Sequence, residues 1–152
     1  MNIWYGLDRV PQDLGAQGTV VTIGVFDGVH RGHAQLIARA TAEAHERGLP
    51  AVLMTFDPHP AEVVRPGSHP PQLTTLTRRA ELAEELGIDV FCVMPFTATV
   101  MAQPAEDFVH SVLVERLHAA AEAVVASESD PAARLEGHPD NSSASVFGGA
   151  TL

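Results

Sequence analysis

From residue 19 onward the apolar positions of this chain alternate between two periods. Continuous apolar runs at 20–26, 51–56 and 90–94 read as strands buried on both faces. Between them, apolar residues recur at helical spacing. Residues 33–47 place Leu36, Ile37, Ala40 and Ala44 on one face and stop at Gly48, a suitable C-terminal cap. Residues 77–86 do the same with Ala80, Leu82, Ala83 and Leu86, and stop at Gly87. A third helix opens at Pro104, where a missing N–H costs nothing, and Glu106 and Asp107 complement its dipole. Its buried face is Phe108, Val109, Val112, Leu113 and Leu117. Strand and helix repeated three times predict an α/β fold with right-handed crossovers and a parallel sheet.

The alternation calls for another strand after residue 118. The chain there offers only a short apolar patch, Val124-Val125, before Ser127-Glu128-Ser129-Asp130-Pro131, and the remainder is rich in Ser, Gly, Pro, Asp and Asn. The expectation is an incomplete sheet, with a domain over 1–119 and a turn-rich tail over 120–152. An open strand edge invites self-association.

Composition narrows the partners. The chain has 152 residues, 45% of them hydrophobic and 18% charged, enough for one packed core. Its net charge of −10, with nine Lys and Arg and no basic cluster, argues against nucleic acid as a partner. The one cysteine, Cys92, lies inside an apolar run and reads as a buried, inert thiol of a reducing compartment. The N-terminal residues lack a charged and apolar leader, and no apolar stretch reaches the ~18 residues of a membrane span. A cytoplasmic protein without membrane contact is expected.

The segment Phe26-Asp27-Gly28-Val29-His30-Arg31-Gly32-His33 joins the first apolar run to the first helical segment. Helix N-termini present unpaired N–H groups and a partial positive charge, so anions collect there. Two imidazoles spaced by three, with Gly32 allowing close approach to the backbone, suit a nucleotide's phosphates. In nucleotidyl transfer, negative charge shifts onto non-bridging and leaving oxygens, and positioned donors stabilise it without a covalent nucleophile. Mg²⁺ would arrive bound mainly to the triphosphate. Zinc ligation by His30 and His33 is an alternative, but no compact ligand set accompanies them. A P-loop and a Gly-x-Gly-x-x-Gly fingerprint are both absent from the sequence.

A second loop, Phe56-Asp57-Pro58-His59-Pro60, follows the second run. Taken alone it is a strand end at which the prolines stop pairing. Beside the first loop, on the carboxyl rim of a parallel sheet where ligands bind, Phe56 becomes a stacking surface for a planar ring and His59 a polar contact. Met94-Pro95-Phe96-Thr97, after the third run, is a weaker version of the same arrangement.

Gly24-Val25-Phe26-Asp27-Gly28-Val29-His30-Arg31-Gly32-His33, Thr55-Phe56-Asp57-Pro58-His59-Pro60, Leu73-Thr74 and Pro95-Phe96-Thr97 together resemble the N-terminal FAD synthetase part of the bacterial bifunctional riboflavin kinase/FMN adenylyltransferases. Trp4-x-Gly6-Leu7 and Glu106-Asp107-Phe108-Val109 fit as well. The resemblance covers about residues 1–119. It implies a Rossmann-like nucleotidyltransferase fold that makes FAD and pyrophosphate from FMN and MgATP. It also implies that His30 and His33 are catalytic, that Gly24, Phe26, Asp27 and Gly32 border ATP, and that Phe56, Pro58, His59 and Pro60 lie toward the flavin. The family's later Gly-(Asn/Asp)-Phe-x-Phe-Gly loop and Ser-Ser-Thr-x-x-Arg-type segment have no counterpart here. Leu135-Glu136-Gly137-His138-Pro139-Asp140-Asn141 with Phe147-Gly148-Gly149 instead resembles an internal segment of homoserine kinases, so two unrelated pieces are expected to meet near residue 119. A nucleotide- or flavin-binding remnant without turnover and a cytidylyltransferase are the competing readings.

Overall fold

The computed structural model describes residues 1–11, 14 and 18–125. Five parallel strands form one sheet: β1 (Asn2–Tyr5), β2 (Thr19–Ile23), β3 (Ala51–Asp57), β4 (Val90–Pro95) and β5 (Ala119–Val125), in the order β1-β4-β3-β2-β5. Helices α1 (Arg31–Arg47), α2 (Pro60–Val64), α3 (Leu76–Glu85), α4 (Ala98–Ala102) and α5 (Ala105–Phe108) lie between strands, and α5 runs on into a π-helical segment, Val109–Val114. None of the helices described is long and apolar enough to cross a membrane.

Strand periodicity divides the core between the two faces of the sheet. Val21, Ile23, Val52, Met54, Val90, Cys92 and Met94 point to one side, where Phe108, Val109, Val112, Leu113 and Leu117 cover them. Val20, Leu53, Phe91 and Val93 point to the other, against Ile37, Ala40 and Ala44 of α1 and Ala80 and Ala83 of α3. The small residues on the helices let both backbones approach the sheet closely. α1 ends as its sequence predicts: Gly48 takes a left-handed φ of 65°, and its N–H and that of Leu49 close back onto the last turn. Cys92 is fully buried in β4, and burial pushes its thiol up to about 12.

Several expectations need correction. The run expected as a strand over 20–26 leaves the sheet after Ile23, because Phe26 adopts φ 53° to turn its ring into the core. Leu82 is only half-buried, and Arg79 occupies the core face of α3 instead. β1 has a single buried residue, Trp4, too little for alternation to reveal a strand. The strand thought missing after residue 118 is present: Ala119–Val125 pairs in parallel with β2, with a register shift between Thr19 and Val21. Its sequence, Ala-Ala-Ala-Glu-Ala-Val-Val, favours helix over strand locally. The Thr19 N–H donates to His118 O (2.9 Å) and the Thr19 hydroxyl to Leu117 O (2.6 Å), delivering the chain beside β2.

This order has a consequence for ligands. From β2 the chain builds outward through β3 and β4, then returns to the opposite side of β2 as β5. The direction of winding therefore reverses between β2 and β5, and in open parallel sheets the crevice at such a point is where ligands sit. The loop after β2 opens onto it.

Candidate active site

The loop after β2 is built from unusual backbone. Phe26 (φ 53°), Gly28 (φ 75°) and Val29 (φ 41°) all have positive φ. For a β-branched residue such as Val29 this is an outlier, and outliers of this kind persist only where surrounding structure over-determines them. The contortion buries Phe26 and delivers His30 to the N-cap of α1. His30 Nδ1 accepts from the His33 N–H (3.3 Å). A neutral His30 therefore carries its proton on Nε2, the outer nitrogen, as a donor. The His30 and His33 rings stack with centroids 3.6 Å apart, and Phe26 meets His33 edge-on at 5.2 Å. Gly32 lies in the first turn between them. A Cβ on Gly24 would come within 3.1 Å of the Phe26 ring, so Gly24 leaves that ring room to fold back.

Asp27 faces inward from this loop. Its Oδ1 and Oδ2 accept from the Leu73 N–H (3.0 and 2.8 Å), and Oδ1 also accepts from the N–H and hydroxyl of Thr74 (both 2.8 Å). Burial by itself raises the Asp27 carboxyl, but these bonds and the charge of Arg79 outweigh it and hold the group below its ordinary value. The Thr74 hydroxyl in turn accepts from the Gly28 N–H (2.9 Å). Arg79, 2% exposed, completes the cluster. It donates to Val25 O (3.2 Å), Gln72 Oε1 (2.6 Å), Thr74 O (3.1 Å) and Thr74 Oγ1 (3.3 Å), with Asp27 at 3.8 Å. Burial pulls its guanidinium below the ordinary value, while Asp27 and Asp57 pull it back up.

The loop after β3 is simpler. Phe56 is half-buried and meets Phe96 edge-on at 5.4 Å, and the Phe96 N–H donates to Asp57 O (3.2 Å). The 56–60 and 95–97 segments are thereby joined. Asp57 and Pro58 are exposed and linked by a cis peptide bond. His59 caps α2, its Nδ1 accepting from the Ala61 N–H (3.0 Å), and Pro60 is buried at the start of that helix. The His69 ring lies parallel to that of His59 at 6.5 Å.

The two loops are neighbours because β2 and β3 pair, and the Thr55 hydroxyl donates to Val25 O (3.0 Å) between them. Gly24, Phe26, Asp27, His30, Gly32, His33, Phe56, Pro58, His59 and Pro60 thus gather on one rim of the sheet. Phe26 and Asp27 turn toward the protein, while His30 is exposed. Sequence reasoning missed Arg79 and Gln72. The signal for Arg79 was its place four residues before Ala83, on the buried face of α3. Among the described residues no group of three or more His, Cys, Asp or Glu is placed to hold a metal ion, so the zinc reading finds no ligand set there.

Comparison with known proteins identifies the lineage. Residues 13–134 match the FAD synthetase family. The chain belongs to that family. Two relatives of this FAD synthetase domain are bifunctional riboflavin kinase/FMN adenylyltransferases. That of Escherichia coli (strain K12) is 35% identical over 113 residues, covering 74% of this chain and 35% of that protein. That of Pseudomonas fluorescens is 39% identical over 101 residues, covering 66% and 32%. The chain spans about a third of the length of the curated relatives it matches. A crystal structure of a macrolide-efflux protein from Streptococcus pneumoniae superposes on the FAD synthetase domain with a TM-score of 0.65 at 23% identity, over 78% of this chain and 39% of that one. At that identity the likeness shows a common fold. The family match continues through β5 and past the boundary expected at residue 119. The rest of the expected tail, from residue 126, lies outside the described residues.

Proposed function

We propose that this chain is the adenylyl-transferring unit of an FMN adenylyltransferase, converting ATP and FMN to FAD and pyrophosphate. The observation that carries the reading is the stacked His30–His33 pair at the N-terminus of the 17-residue helix α1, at the point where the sheet reverses its winding. The FMN phosphate attacks the α-phosphorus of ATP, and the bond from that phosphorus to the bridging oxygen of pyrophosphate breaks. The Nε2–H of His30, the His33 ring and the first amides of α1 donate to the oxygens that gain charge. Phe56 stacks on the flavin, with Pro58, His59 and Pro60 bordering it. Gly24, Phe26, Asp27 and Gly32 shape the ATP side through backbone and packing. Asp27 is engaged by N–H groups, a hydroxyl and a guanidinium, so its environment suits an anion held by the protein better than a cation ligand. Mg²⁺ is accordingly carried in by the triphosphate and its waters.

The segment resembling homoserine kinases begins at residue 135, directly after the matched range ends at 134. These limits favour a junction of two origins after 134 rather than near 119. FAD formation from FMN and MgATP by the purified chain, followed by chromatography, tests the activity. Product above the level of His30→Ala and His33→Ala is expected. Binding of MgATP or FMN by a folded chain without product would favour a non-catalytic remnant, and preference for CTP would favour a cytidylyltransferase.

A further inference from the structure

The groups that would meet a nucleotide are on the rim, but what shapes them lies behind it. A buried guanidinium is costly unless paired and hydrogen-bonded, and a leucine or methionine at position 79 would pack α3 against the sheet without that cost. Arg79 instead reaches the strained loop at two places. Its Nη1 donates to Val25 O, directly before the first left-handed residue, and its Nε donates to the Thr74 hydroxyl that receives the Gly28 N–H. That hydroxyl gives its one proton to Asp27 and accepts from two donors, so it is fully engaged. Of the residues turned into positive φ, Phe26 and Gly28 therefore lie within a span tied at both ends to one cation, and Val29 follows it directly.

We propose that Arg79 is a positioning residue of the nucleotide site: through Val25 and Thr74 it holds residues 26–29 in the conformation that sets His30 and His33 at the mouth of α1. The proposal rests on the reading of this rim as a nucleotide site only for its effect on turnover. The effect on the loop itself is independent of that reading. Arg79 touches no substrate. It acts through the backbone, so its loss misplaces the imidazoles without removing them.

The test uses the full chain and the variants Arg79→Gln and Arg79→Lys, with amide hydrogen exchange at Gly28, the MgATP dissociation constant by calorimetry, and kcat and KM for FAD formation. For Arg79→Gln, exchange at Gly28 is expected to quicken about tenfold or more while that of Val52 and Leu53 in β3 stays slow, the pattern of local rather than global opening. In the same variant kcat should fall about 10- to 100-fold, as expected when reacting groups are displaced by a fraction of an ångström. Arg79→Lys keeps the charge beside Asp27 and should recover part of both losses. A merely structural role would instead lower the melting temperature and speed exchange in β3 and at Gly28 alike. That result would overturn the proposal, as would unchanged Gly28 exchange in Arg79→Gln, or Arg79→Lys no better than Arg79→Gln. If Arg79→Gln does not fold, Thr74→Val cuts the link to Gly28 while leaving the bonds of Arg79 to Val25 and Gln72, and the same pattern is required of it. If the parent chain makes no FAD and binds no MgATP, the functional reading fails, and Gly28 exchange alone decides the positioning role.

Discussion

Two loops of this protein begin with the same dipeptide, Phe-Asp, at the ends of neighbouring strands, and the fold treats them in opposite ways. Phe26 is buried, and Asp27 is held by Leu73 and Thr74 from 46 and 47 residues away. Phe56 is half-buried, and Asp57 is exposed. Each loop ends on a histidine that caps the next helix through Nδ1. The helix after His30 has 17 residues and that after His59 has five, so the first has the better developed dipole. The first loop is tied down by distant residues and sets His30 and His33 at the mouth of α1. The second is shaped mostly by its own prolines and offers a ring. What separates the two Phe-Asp dipeptides is the long-range hydrogen bonding at Asp27.

The comparison breaks most readily at the histidines. His33→Ala or His30→Ala should each lower kcat for FAD formation by about 10²–10³, the usual cost of removing a positioned donor. Phe56→Ala should act chiefly on KM for FMN, and steady-state kinetics with each substrate varied would show the split. Next in size is the pair of aspartates. Asp27→Asn should cost about 1–3 kcal/mol in denaturant unfolding, since it sets an amide against the Leu73 and Thr74 donors. Asp57→Asn should stay within about 0.5 kcal/mol, as exposed substitutions do.

A pH titration sharpens the same contrast. Because the Asp27 carboxyl lies below its ordinary value when folded, the unfolded chain takes up the proton first as pH falls. The stabilisation from Asp27 is complete above the unfolded value of about 3.9 and is lost as pH drops through the lower native one. Unfolding curves of the parent should therefore converge on those of Asp27→Asn in acid. The smallest effect expected inside the first loop is that of Gly28→Ala. It places a Cβ at φ 75° and 3.1 Å from Leu73 Cδ1, but Leu73 is 80% exposed and its tip can move aside. A loss of about 1 kcal/mol, from the left-handed conformation alone, is expected in the same unfolding assay.

Both loops were legible as loops, and most of the framework was legible as well. The five core positions expected for the last helical segment, Phe108, Val109, Val112, Leu113 and Leu117, are all buried. That periodicity survives even though the backbone there is partly π-helical. β1 and β5 were not legible. One buried residue in four gives no alternation, and an alanine-rich run reads as helix until a partner strand pairs with it. Arg79 was not legible either, because a charge inside a helical pattern is more often solvated than buried.

The sequence by itself determined that the chain alternates strand and helix, that a His-x-Gly-His element opens a long helix, and that its motifs are those of the FAD synthetase family. Those features depend on residues near one another, where spacing and propensity suffice. Tertiary structure alone decided where β5 docks, and hence that the winding reverses beside β2. It also decided which of two Phe-Asp dipeptides becomes rigid, and that a buried cation from α3 sits behind the loop. Each of those outcomes depends on partners between 45 and 100 residues apart, paired by burial and hydrogen bonding that no local pattern encodes.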